Sequence, residues 1–142
     1  SGNSGLLITS VVYLKEGTNK NFLIIDAGMN DLLRPAIYDA EHEILPVIEE
    51  RNNHNQIVAD IVGPICESSD VFSKNTTLPK MTSGDFLAIY SAGAYGAVMS
   101  SEYNSRPLIP ELIVNENLVS VVRSRPKIED VIKRDQIPYW LR

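Results

Sequence analysis

Short apolar runs recur along the chain, each closed off by turn residues: "LLITSVVYL", "NFLIIDAG", "EILPVIEE", "QIVADIVG", "DFLAIYSAG", "ELIVNEN" and "LVSVVRS". Val, Ile, Leu and Tyr dominate them, and most are too short for a helix, so the pattern predicts strands. "KEGTNKN", between the first two runs, reads as a hairpin loop, and "NEN" at 115–117 as a tight turn between the last two. Their number argues for a mainly β fold, a barrel or sandwich.

Two segments depart from that pattern. In "LLRPAIYDA" after Asp31, Pro35 stands near the start of a short helix, where its missing N–H costs little. Near the end, "SRPKIEDVIKRD" sets Ile128, Val131 and Ile132 at helical spacing, with acids in the first turn and Lys133 and Arg134 in the last, as the helix dipole favours. This predicts a short C-terminal amphipathic helix packed on the barrel. Trp140 and Leu141 in the closing "IPYWLR" read as cover for apolar surface.

Composition narrows the classes. The 142 residues suffice for one domain, so residues 1–142 are expected to fold as one compact unit. With 44% hydrophobic and 22% charged residues and no repeat or low-complexity stretch, the chain has the balance of a globular domain. Thirteen basic against eighteen acidic residues give a net charge of -5, which argues against nucleic acid as a partner. No apolar run approaches the ~20 residues that span a bilayer, and the opening lacks the features of a signal peptide, so no membrane partner is expected. A lone cysteine cannot close an internal disulfide, which makes the cytoplasm the default location. There is no starting Met, and strand-like sequence begins almost at once, as in an interior piece of a longer chain.

Candidate chemistry lies in three places. Metal and nucleotide signatures are absent: His42, His54 and Cys66 do not form a zinc spacing, and there is no GxGxxG, P-loop or GxSxG. If 33–39 is helical, Arg34 and Tyr38 stand at i and i+4 on one face, where a guanidinium fork and a phenol suit one carboxylate. The plainer reading makes Arg34 a surface charge and Tyr38 a packing residue. In "SAGAYGAVM", Gly93 and Gly96 allow a sharp bend or close approach to a ligand and leave the Tyr95 phenol at a loop tip, although glycines after strands often mark only turns. In "VGPICESSD", Gly63-Pro64 ends a strand near Val62, so Cys66 and Glu67 belong to a loop leaving the sheet. A lone Cys can be an inert core residue, but its polar and acidic neighbours suit an exposed loop. A free thiol titrates near ~8.5, so at neutral pH it can give a proton to a carbanion.

"DAGMNDLLRPAIYDAEHEI", "VGPICESSDVF", "GDFLAIYSAGAYG" and "SSEYNSRP", in that order from about Gly5 to the C-terminus, resemble the C-terminal β-domain of the diaminopimelate decarboxylase family, pyridoxal-phosphate enzymes of the alanine-racemase fold type. The resemblance implies a two-domain cytoplasmic enzyme that converts meso-2,6-diaminopimelate to L-lysine and CO2. An N-terminal (β/α)8 barrel, absent here, would carry pyridoxal 5'-phosphate on a lysine. It further implies that Arg34 and Tyr38 bind a substrate carboxylate, Tyr95 meets the cofactor phosphate and the substrate, Cys66 is the proton donor, and Glu67 binds the distal ammonium group. In the family the Cys-Glu pair is supplied across a homodimer interface to the neighbouring subunit's site. None of Lys15, Lys20, Lys74, Lys80, Lys127 or Lys133 lies in a context like that of the family's cofactor lysine, so the chain alone is expected to be inactive. Two alternatives stand beside this reading: a domain of a related decarboxylase acting on ornithine, arginine or another basic amino acid, and a stand-alone β-barrel module that binds without chemistry. The Glu after the Cys, and "RPAIYDA", favour diaminopimelate.

Overall fold

The computed structural model describes residues 1–48 and 55–141. The end of the expected strand "EILPVIEE" and His54 lie outside the described residues. β1 (Leu7–Lys15) and β2 (Asn21–Ile25) form the expected antiparallel hairpin. Along β1, Leu7, Thr9 and Val11 are buried while Ile8 and Val12 face outward, the period of two that turns one face of a strand to the core. After α1 (Arg34–Tyr38) come β3 (Ile44–Pro46), β4 (Gln56–Val62), β5 (Val71–Pro79) and β6 (Phe86–Ile89). These six strands form one sheet in the order β3-β6-β1-β2-β4-β5, nearly closed into a barrel. The chain is thus mainly β, with two short α-helices among the described residues, and neither helix is long and apolar enough to cross a membrane.

Leu23, Ile25, Ile61, Leu87 and Ile89 are wholly buried, and with Val11, Leu32 and Met81 they form the centre of the core. Each large aliphatic side chain removed from water in this way contributes on the order of 1.5–3 kcal/mol. Among the described residues, β5 is the one strand the apolar pattern does not reveal. Its middle, "SKNTT", is polar, and Asn75 sits at φ 51 in a bulge. The buried Asp60 of β4 supplies what the sequence pattern lacks: its Oδ1 accepts the Asn75 N–H at 2.8 Å, and its Oδ2 pairs with the Lys20 ammonium at 2.6 Å. Burial alone would raise the Asp60 carboxyl, but the bonds from Lys20 and Asn75 and the charges of Lys20 and Lys74 outweigh it and hold the group below its ordinary 3.8.

Strand direction decides where the loops go. β2 and β4 are parallel neighbours, with Ile24 opposite Val62, so both end at the same edge of the sheet. β6 is antiparallel to β1, which is antiparallel to β2; β6 therefore runs with β2 and ends at that edge too. The segments after β2, β4 and β6 are the three in which the sequence places candidate chemistry.

Where one compact unit is expected, the internal contacts divide the chain into two, residues 1–100 and 101–142. In the second, β7 (Glu111–Asn115) and β8 (Leu118–Arg123) form a hairpin through Glu116, at φ 53, and Asn117, as "NEN" predicts. That hairpin pairs only with itself, which is why the contacts of this unit are largely its own. Arg123 braces it on Glu111 at 2.7 Å. α2 (Ile128–Ile132) carries Glu129 and Asp130 in its first turn as expected. Its basic residues do not reach the last turn: the helix stops at Ile132, Lys133 closes it on Glu129, and Arg134 is engaged with Glu102. Ile128, Ile132, Trp140 and Leu141 are exposed rather than covered.

Candidate functional site

The segment leaving β2 is fixed residue by residue before it reaches Arg34. The Thr9 hydroxyl, buried, donates to Asp26 Oδ1 at 2.6 Å and accepts the Ala27 N–H at 3.0 Å. The Gly28 N–H donates to Asp31 Oδ2 at 2.9 Å while the Asp31 N–H closes on the Gly28 carbonyl, which makes a tight turn. Leu32 then drops into the core as an anchor, and α1 begins at once, with Pro35 in its first turn. Five residues are too few for a helix to persist on propensity alone. Asp39 ends it in the left-handed conformation, φ 50, and the Ala40 N–H that follows closes on the Arg34 carbonyl.

On that single turn Arg34 and Tyr38 share a face, with the guanidinium carbon 5.7 Å from the Tyr38 ring centre. Tyr95, from the loop after β6, brings its ring centre to the same guanidinium at 5.7 Å. The three side chains thus converge, at a separation suited to cation–π contact. Both phenols are exposed and Arg34 is half-buried. Among the described residues no carboxylate pairs with Arg34, which leaves its fork of donors for an external anion.

The Tyr95 loop is stitched to the start of the chain: the Ala92 N–H donates to the Gly5 carbonyl and the Gly93 N–H to the Gly2 carbonyl. Gly93 lies so close to the backbone of Ser1 and Gly5 that a methyl there would overlap it. Gly96 crowds the Ala92 carbonyl in the same way, so both glycines are required by close approaches within the chain. Tyr95 itself has φ 57, an uncommon conformation for a bulky aromatic residue that costs on the order of 1–3 kcal/mol.

Cys66 and Glu67 are exposed on the loop after β4, with Ile65 buried beneath them. The expectation of an accessible thiol on a segment leaving the sheet is met in geometry. The sequence pattern did not single out Asp70, at the exit of this loop and only 2% exposed. Its Oδ2 accepts the Ile65 N–H at 2.7 Å, and its carbonyl accepts the Gly63 N–H at 3.0 Å. A methyl at Gly63 would overlap the Asp70 carboxylate, which is the physical reason for glycine there. A glycine and an acid at the two ends of a loop are the signal by which this clamp could have been found.

Other candidates are engaged within the fold. Lys20 precedes β2 and pairs with Asp60, and Lys80 pairs with Glu16 at 2.9 Å. The His42 Nδ1 lies 2.9 Å from the Tyr90 carbonyl. Among the described residues no three His, Cys, Asp or Glu side chains gather as a metal site.

Comparison with known proteins adds the following. The family described as "Pyridoxal-dependent decarboxylase, C-terminal sheet domain" matches residues 3–93. Diaminopimelate decarboxylase of Zymomonas mobilis is 45% identical over 139 residues, covering 98% of this chain and 32% of that protein. A crystal structure of diaminopimelate decarboxylase from Helicobacter pylori complexed with L-lysine superposes with TM-score 0.85 at 46% identity, over 94% of this chain and 32% of that one. The enzyme from M. jannaschii, also in complex with L-lysine, superposes with TM-score 0.92 at 38% identity, over 99% of this chain and 32% of that one. The chain spans about a third of the length of the curated relatives it matches.

Proposed function

The chain belongs to the family of C-terminal sheet domains of pyridoxal-dependent decarboxylases, and from that premise we propose that it completes the active site of a diaminopimelate decarboxylase. The observation that carries the proposal is the meeting of Arg34 with Tyr38 and Tyr95 at the sheet edge from which the Cys66 loop also leaves, with no acid of the described chain taking up the guanidinium. Relatives at 43–49% identity that bear the name diaminopimelate decarboxylase support the choice of substrate.

The donor set fits the anionic parts of substrate and cofactor. Arg34 and Tyr38 would bind a substrate carboxylate, the guanidinium through two parallel bonds and the phenol through a third. Tyr95 would hold the cofactor phosphate and border the substrate. Among the described residues Lys20 pairs with Asp60 and Lys80 with Glu16, and the covalent carrier would be a lysine outside this chain, in a (β/α)8 barrel domain. When bound, pyridoxal phosphate supplies the electron sink for the pair left on the α-carbon as the bond to the carboxylate breaks and CO2 departs. Cys66 would give its proton to that carbon and regain one from water, so that the carboxylate is replaced by hydrogen. Glu67 would accept hydrogen bonds from the distal ammonium, so an amino acid lacking that group forgoes a charge-assisted contact and is bound less well. The exposed Cys66 and Glu67 are proposed to serve the neighbouring subunit of a homodimer, and the ligand of the assembly is a small amino acid.

The test is CO2 release from meso-2,6-diaminopimelate by the full-length protein with pyridoxal phosphate. Cys66→Ala should lower kcat at least about a hundredfold, the usual scale of a positioned general acid, with little change in KM. The isolated chain should neither take up the cofactor covalently nor release CO2. Undiminished turnover in the Cys66→Ala enzyme, or turnover by the isolated chain, would overturn the proposal.

A further inference from the structure

Two loops of different origin meet on one carboxylate. Asp70 Oδ2 accepts the N–H of Ile65, next to Cys66, and Asp70 Oδ1 accepts the N–H of Met29, five residues before Arg34, each at 2.7 Å. Two further contacts join the same segments. The Ser69 hydroxyl reaches the Met29 sulfur at 3.6 Å, and Gly28 lies so near the Ile65 side chain that an added methyl would crowd its Cδ1 at 2.8 Å. Asp70, Val71 and Phe72 also line a small void with Met29, Leu32 and Ala36, which places the start of β5 against α1. Local turn formation would need only the Ile65 bond, because that closes the loop on itself. The bond to Met29 spans 41 positions of sequence and does nothing for either turn alone.

We infer that Asp70 is a positioning residue that locks the proton-donor loop of Cys66 and Glu67 to the segment carrying Arg34 and Tyr38, so that what a chain gives its own site and what it gives its neighbour's move as one body. Both N–H groups bond a buried carboxylate, the stronger class of hydrogen bond, the Ile65 bond being buried and the Met29 bond partly so. The inference rests on the decarboxylase reading for what the locked groups do, but not for the lock itself.

Amide hydrogen exchange on the full-length protein separates the two. Asp70→Asn keeps one acceptor oxygen and turns the other into a donor, so it cannot accept from both amides. Exchange at Met29 and at Ile65 should accelerate together, by about tenfold or more, with Leu23 and Ile25 of β2 unchanged. Acceleration at Ile65 alone, or equally throughout the sheet, overturns the inference. Should Asp70→Asn fail to fold, Asp70→Glu displaces both oxygens by one methylene and should give the same paired effect in milder form. Kinetics supply the second readout: Asp70→Asn should lower kcat about tenfold in the native enzyme but less than about threefold in the Cys66→Ala background, because it acts through the thiol. Equal losses in both backgrounds mark a merely structural residue and overturn the inference. Paired exchange in a protein that releases no CO2 would leave the lock standing and remove the function; turnover with unchanged Met29 exchange would do the reverse.

Discussion

Arg34 shows what a single side chain can reveal in sequence. Its spacing to Tyr38 was legible because one helical turn brings i and i+4 together, and Pro35 marked where that turn begins. Tyr95 was legible as a loop tip between small residues, but its closeness to Arg34 was not, since that depends on strand directions. In the full-length enzyme Arg34→Ala should lower kcat/KM about tenfold to a hundredfold, the value of charge-assisted bonds to one carboxylate. Arg34→Lys should recover only part, because an ammonium lacks the planar fork. Steady-state kinetics with diaminopimelate check both, and full activity in either variant would contradict the assigned role. Asp70 was legible only through Gly63 at the other end of its loop: a lone acid before a strand fits no periodic pattern, and its partners at 29 and 65 are backbone amides that carry no sequence signal. The same clamp gives a stability prediction. Gly63→Ala forces a methyl onto the Asp70 carboxylate and should cost about 1–3 kcal/mol, read as a lower urea midpoint with an unchanged slope.

Among the elements, those with apolar runs were foreseen and β5 was not. Its outward residues are polar, and it holds its place through the buried Asp60, the Asn75 bulge and Lys20 as well as through a few core residues such as Phe72 and Leu78. α2 was foreseen from the spacing of its apolar residues, yet it ends a residue short of its basic pair because Lys133 serves as its cap. The Asp60 cluster makes acid stability a property of this part of the sheet. Its carboxyl is held below 3.8 in the folded chain, so as pH falls the unfolded chain takes up that proton first. The stabilisation is complete above the unfolded value and is lost as pH drops through the folded one. The urea midpoint should therefore fall on acidification below about pH 4, and Asp60→Asn should remove that component of the slope while lowering the midpoint at neutral pH. An Asp60→Asn protein with the native acid profile would show that other groups carry the effect.

At the scale of the whole molecule, strand polarity brings three separated motifs to one edge of the sheet. The sequence told where strands lie and which loops follow them, but the parallel pairing of β2 with β4, reached only through the long crossover holding α1 and β3, carries no local mark. That pairing sends the Arg34 and Cys66 segments out of the same edge. The division of contacts at Ser100 was equally hidden, because β7 and β8 have the same apolar character as the sheet strands. If Cys66 serves the neighbouring subunit while Arg34 serves its own, the two residues can be supplied by different chains. Mixing full-length Arg34→Ala and Cys66→Ala proteins after dissociation and reassociation measures this directly. Half the dimers will be mixed, and each mixed dimer has one whole site of two, so activity should return to about a quarter of the native value from two nearly inactive parents. A mixture no more active than its parents would contradict the shared site.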